Sequence, residues 1–174
     1  MKQLGFTLLE LMVTVAIAVI LLGVGVPNLS NLFQSMSADA TINRLMREVR
    51  FARAQAINLN QRVVICALQS NDSDCGGTVN NGLTIFADNN NNGKLDANEQ
   101  ILQAAAPYNQ AGKINFYGSV NAIHFGSDGL VLGHGSSASL YFCSDNNHYI
   151  EGVKVSLGGN IRFITDSEKT SCPI

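Results

Sequence analysis

Hydrophobic and polar positions divide the chain into three stretches with different periods. Residues 6–26 are apolar on every side, carry Glu10 as their one charge, and end at Pro27. At a 1.5 Å rise per residue such a run makes about 30 Å of helix, enough to cross the hydrocarbon core of a bilayer. Proline at 27 removes an internal hydrogen bond and predicts a kink or local melting over Gly23–Pro27. From Asn28 the pattern becomes one-sided. Leu29, Leu32, Phe33 and Met36 recur at helical spacing, and so do Ile42, Leu45, Met46, Val49, Ala52 and Ala56. The helix is expected to end near Asn58-Leu59-Asn60.

From about Gln61 the period falls to two. Short β-rich runs at Val63–Cys66, Leu83–Phe86, Ala122–Phe125, Leu130–Leu132, Ser139–Phe142 and Val153–Leu157 are bounded by Gly, Asn and Asp. Ser127-Asp128-Gly129 and Ser156-Leu157-Gly158-Gly159-Asn160 read as turns between such runs. The pattern predicts an α+β protein: a long N-terminal helix, apolar all round over 6–27 and amphipathic over 28–60, packed on an antiparallel β domain over 61–174.

Glu10 needs an explanation. A charged side chain in the middle of a membrane costs roughly 2.5–3.5 kcal/mol on insertion scales, and less near the end of the span. A simple membrane anchor accounts for the length of the run and leaves Glu10 unexplained. A secretory signal peptide has a shorter apolar core and a small-x-small cleavage site, for which Gly23-Val24-Gly25 would have to serve.

The segment Gly5-Phe6-Thr7-Leu8-Leu9-Glu10, behind the short basic leader Met1–Gly5, resembles the processing site of type IV prepilins and of type II secretion pseudopilins. The resemblance implies a leader peptide over 1–5, removed after Gly5 by a membrane prepilin peptidase, and N-methylation of the new terminus at Phe6. It also implies that Glu10 pairs with the N-terminal amine of a neighbouring subunit during assembly. Burying the two charges as a pair removes both from lipid unpartnered.

Beyond the leader the chain is similar to the GspH/FimT pilin-like group. The residues that carry this are Arg53-Ala54-Gln55-Ala56 ahead of a first strand ending in Cys66, the Asn-rich segment 88–99, and Gly159-Asn160-Ile161-Arg162 before Cys172. The resemblance implies the pilin fold and a minor pilin or pseudopilin that joins other major and minor pilins through its N-terminal helix.

Charge and cysteine usage narrow the setting. Thirteen Asp and Glu face eleven Lys and Arg, so no global basic field recruits nucleic acid. Lys2 on the N-terminal flank favours a cytoplasmic N-terminus, with the rest of the chain facing the periplasm or exterior. The resemblance implies a single pass through a bacterial inner membrane and a periplasmic C-terminal domain that later reaches the pilus and cell surface. Cys66, Cys75, Cys143 and Cys172 lie beyond the apolar run in that oxidising compartment, where an even count suggests two disulfides. Four cysteines allow three pairings, and proximity favours Cys66 with Cys75 and Cys143 with Cys172. No Cys-x-x-Cys or Cys-His spacing supports zinc.

Three further features could carry chemistry. Arg44, Arg47, Arg50 and Arg53 recur every third residue, either as a basic stripe for lipid, DNA or a neighbouring subunit, or as a solvated helix face; the drift of about 60° per step favours the solvated face. Asp88–Glu99 matches the spelling of a calcium loop, with oxygen side chains at positions 1, 3, 5 and 9, Gly93 at 6 and Glu99 at 12. Strand-like flanks replace the two helices of a calcium hand, and the alternative is a hairpin whose carboxylates cap backbone amides.

FimT-like members of the group resemble DNA receptors for transformation and carry a Gly-Arg-x-Arg tail. Here Asn160 follows Gly159 and only Arg162 matches, leaving Arg162, Lys154 and Lys169 as a small candidate DNA patch. His124, His134 and His148 are scattered, and no hydrolase elbow or His-Glu-x-x-His pair occurs. The expected protein is a non-enzymatic structural subunit without cofactor or metal: a minor type IV pilin, or alternatively a DNA-binding pilin or a type II secretion minor pseudopilin.

Overall fold

In the computed structural model the residues described are 7–108, 112–118, 120–133, 137–144, 149–169 and 172; within the helix, the side chains of 24–31 are excepted. One helix, α1, runs Leu8–Leu59. It starts where it does because Thr7 caps it: the Glu10 backbone N–H donates to Thr7 Oγ1 at 3.2 Å. The helix is assigned without a break through Gly23–Pro27, so the expected melting does not occur there. Asn60, in left-handed conformation (φ 51°), ends it.

The chain divides into two compact units, Met1–Met36 and Ser37–Ile174. In the first, Leu8, Leu9, Leu11, Met12, Val13, Val15, Ile17 and Val19 to Leu22 are exposed, as are Leu32, Phe33 and Met36. The buried stripe therefore begins later than the sequence pattern predicts. Among the described side chains it starts at Ala38 and continues through Ile42, Leu45, Met46, Val49, Ala52 and Ala56; the side chain of Leu29 lies outside the described residues. Among the described residues no helix is long and apolar enough to cross a membrane; the run read from the sequence, 6–26, extends past the described side chains at both ends.

The second unit adds two antiparallel sheets. The first has the order β3-β2-β1-β5-β6, built from β1 (Val63–Cys66), β2 (Thr84–Ala87), β3 (Ile101–Gln103), β5 (Ala122–Phe125) and β6 (Val131–Leu132). The second has the order β4-β7-β8-β9, from β4 (Gly112–Phe116), β7 (Ala138–Ser144), β8 (Ile150–Val155) and β9 (Ile161–Phe163). Strand β1 lies at the centre of its sheet, with Val64 facing Phe86 on one side and His124 on the other.

All four residues of β1 are buried, and the pleat explains why the run is continuously apolar. Val63 and Ile65 join the main core with the helix stripe and with Ile114, Leu140, Phe142, Val153 and Val155 of the second sheet. Val64 and Cys66 point the other way, into a small second cluster with Phe86 and Ala122. Leu68 and Cys75 from the loop after β1, and Leu95 from the Asn-rich loop, pack against that cluster. The 88–99 loop thus covers the outer face of the first sheet.

Candidate functional site

The proposed processing residues Gly5 and Phe6 lie outside the described residues. Glu10 stands in the first turn of α1, exposed, with its backbone N–H held by Thr7 Oγ1. An acid in a first turn complements the helix dipole, yet its carboxylate has no partner within the chain among the described residues.

Two disulfides join Cys66 to Cys75 and Cys143 to Cys172. The first closes a loop at the end of β1. The second ties the C-terminal segment to β7, the strand between β4 and β8.

The arginine stripe separates into two pairs, and only one has the solvated character read from the sequence. Arg47 and Arg50 are exposed, with no carboxylate partner among the described residues. Arg44 is engaged: its guanidinium donates to Glu48 Oε1 and Pro107 O at 2.9 Å and to Ala106 O, and lies 4.2 Å over the Tyr108 ring. Glu48, 5% exposed, also accepts from Gln103 and from the Tyr108 hydroxyl. Burial, and then the Glu48 charge, push the Tyr108 hydroxyl above its ordinary range. Arg53 donates from Nε to the Gly129 carbonyl at 3.0 Å. Partners some 60 to 76 residues away cannot be seen in a helical repeat, which is why the sequence showed only a stripe.

Lys154, Arg162 and Lys169 do come together, around acids. Glu168 accepts Lys154 Nζ at 2.7 Å and Arg162 in a two-pronged contact at 2.8 and 2.9 Å. Lys169 bonds Glu151 at 2.6 Å and pairs with Asp166 at 3.1 Å. The bond from Arg162, then that from Lys154, hold the Glu168 carboxyl well below its usual range, and the Glu151 bond raises Lys169. Three cations and three carboxylates compensate one another, which leaves little free positive charge to meet phosphates.

The 88–99 loop connects β2 to β3, not two helices. Its carboxylates are spent on N–H groups. Asp88, 1% exposed, accepts the N–H of Asn92 at 3.1 Å and of Gly93 at 3.0 Å. Glu99 accepts from Asn89 at 2.8 Å and Asp96 at 3.2 Å, and Asp96 Oδ2 accepts the side-chain amides of Asn90 and Asn92. Gly93 sits at φ 75°, with room for a Cβ only 3.1 Å from His124 Cε1. Among the described residues no group of three or more His, Cys, Asp or Glu is arranged to hold a metal.

Among the described residues no constellation for catalysis emerges. His124 lies on β5 against Arg62, while His134 and His148 fall outside the described residues. An open cleft of about 860 Å³ beside the Cys66–Cys75 loop is lined by Gln69, Ser70, Asn71, Thr78 and Asn81, with Asp72 its one ionisable group.

The sequence model of the type II transport protein GspH matches residues 41–159, more than half the chain, and that of the prokaryotic N-terminal methylation motif matches residues 1–26. The chain belongs to the GspH family and carries a prepilin-type methylation motif at its N-terminus.

Among solved structures it is similar to the type IV minor pilin FimU of Pseudomonas aeruginosa, with TM-score 0.58, 16% identity, and coverage of 78% of this chain and 94% of that one. It is also similar to the minor pseudopilin EpsH from the type 2 secretion system of Vibrio cholerae, with TM-score 0.51, 12% identity, and coverage of 74% and 96%. At these identities the likeness is one of fold: the α+β pilin fold. A search of curated proteins gave no match.

Proposed function

We propose that the chain is a minor type IV pilin: a structural subunit, not an enzyme, that enters a filament or its tip complex after its leader is removed. The observation that carries this reading is the methylation motif over 1–26, whose described part is an exposed apolar helix with one unpaired acid, Glu10. In an aqueous compartment the exposed side chains of Leu8 to Leu22 would be strongly unfavourable. First lipid, through a single pass of the inner membrane over 6–27, and then the helices of other pilins give them cover. Prepilin peptidase cuts after Gly5 and leaves a methylated amine on Phe6, and Glu10 sets register by pairing with a neighbour's amine.

The test is to shear filaments from cells carrying the wild-type chain or Glu10→Ala and to blot both the filament and membrane fractions. Wild-type chain in the filaments and the variant confined to the membrane supports the reading. Equal incorporation of both rejects it.

A type II secretion minor pseudopilin is the second reading, favoured by the match to the type II transport family and by the EpsH likeness. Loss of protein secretion with normal piliation in a deletion strain would favour it. DNA uptake draws less support, because Arg162, Lys154 and Lys169 are each paired with a carboxylate. A soluble domain that shifts DNA at low salt, with the shift lost in Arg162→Gln, would revive it.

A further inference from the structure

We infer that the guanidinium of Arg62 is the fixed cation around which the 88–99 loop is built, so that the loop keeps its shape without a bound divalent metal. The loop has a calcium loop's spelling, and Asp88 at its first position is buried. A buried carboxylate needs a counter-charge. Arg62, just ahead of β1, supplies one: its Nε lies 3.1 Å from Asp88 Oδ2, as an ion pair without hydrogen-bond alignment.

The same side chain reaches two further elements. Nη1 donates to the Asn91 carbonyl at 3.0 Å, and Nη2 lies 2.8 Å from His124 Nδ1. A guanidinium only donates, so Nδ1 of His124 is the acceptor and its proton sits on Nε2. Asn91 is held at φ 61°, a left-handed conformation that asparagine tolerates and that turns its carbonyl to the guanidinium. One planar fork therefore joins the start of β1, the loop and β5.

The side-chain oxygens at the other calcium-loop positions accept from N–H donors. Asp96 and Glu99 each accept two, and the side-chain oxygens of Asn90 and Asn92 accept the N–H groups of Asn92 and Lys94. At the far side Lys94 pairs with Asp74 at 2.9 Å, and the Leu95 N–H donates to Ser73 O at 2.9 Å. The loop is thus clamped from both ends while Leu95 covers the second cluster. A subunit moving from the periplasm to the outside would keep this surface unchanged as calcium varied.

Hydrogen exchange on the full chain in detergent, with millimolar calcium chloride or with EGTA, tests this. Protection over 88–99 should be the same in both. Arg62→Gln should speed exchange over that segment by on the order of a hundredfold, as for a buried pair that has lost one partner. Arg62→Lys, which keeps the charge and loses the fork, should fall between. If Arg62→Gln does not fold, the wild-type and lysine proteins still decide. Calcium-dependent protection of 88–99 in the wild type, or wild-type exchange in Arg62→Gln, overturns the inference.

Discussion

Arg53 on the helix donates from Nε to the carbonyl of Gly129, in the turn between β5 and β6, at 3.0 Å. Gly159, from the turn after β8, closes over that bond. A Cβ there would lie 2.1 Å from Gly129 O and 2.6 Å from Arg53 Nε, on a backbone at φ 74°. Helix and two turns therefore meet at one hydrogen bond, and only a residue without a side chain fits the third place. Gly159→Ala should cost about 2 kcal/mol or more through overpacking and backbone strain. Urea denaturation of the variant against wild type measures it, and a loss near zero would show that the three elements give way easily.

Glu48 is the buried acid that holds the segment before β4 to the helix, through Arg44, Gln103 and Tyr108. Glu48→Ala leaves Arg44 without its carboxylate and the Tyr108 hydroxyl without its acceptor. The expected loss is about 3 kcal/mol, as for breaking a buried charged pair. Tyr108→Phe should cost about 1–3 kcal/mol. The double variant should lose less than the two losses added, because both act on one network. Denaturation of the three variants measures the coupling.

The two disulfides should differ in worth. Their cysteines are 9 and 29 residues apart in sequence. Loop-closure entropy gives about 2.5 kcal/mol for the shorter loop and about 3.5 kcal/mol for the longer. Replacing Cys143 and Cys172 by serine should therefore lower stability more than replacing Cys66 and Cys75. The denaturation midpoints of the paired variants give the order directly.

Acid should release the C-terminal turn late. The folded pKa of Glu168 is depressed, by Arg162 first and Lys154 second. A depressed carboxyl contributes stability above its unfolded pKa and loses it as pH falls through the folded value. Its pairs with Lys154 and Arg162 should persist through the pH range where ordinary glutamates protonate and break below it. Following the Glu168 carboxyl by NMR during acid titration checks this: a midpoint in the ordinary glutamate range would contradict it.

What the sequence revealed follows from how local each feature is. Val63–Cys66 and Ala122–Phe125 are strands on both counts, since short runs rich in β-branched and apolar residues carry the signal themselves. Strand Gly112–Phe116 alternates buried and exposed positions, with Ile114 buried and Lys113 outside, so its period was present and went unread. Ile161–Phe163 is too short to show a period, and its strand character comes from pairing with β8. The sequence predicts an apolar stripe that includes Leu32, Phe33 and Met36, but these are exposed and burial among the described side chains starts at Ala38, because cover depends on tertiary neighbours that a helical repeat does not show. The Arg62–Asp88 pair joins residues 26 apart in chain number, and no local pattern announces it. Glu10 stands out in the sequence because it is one acid in an apolar run, a feature visible without any tertiary knowledge.

We propose that the chain leaves the membrane as a processed subunit of a filament. Mass spectrometry of its N-terminal peptide, recovered from the sheared-filament fraction, tests it most directly. The peptide should begin at Phe6 and carry one methyl group on its amine. A chain that still begins at Met1 and stays in the membrane fraction would contradict it.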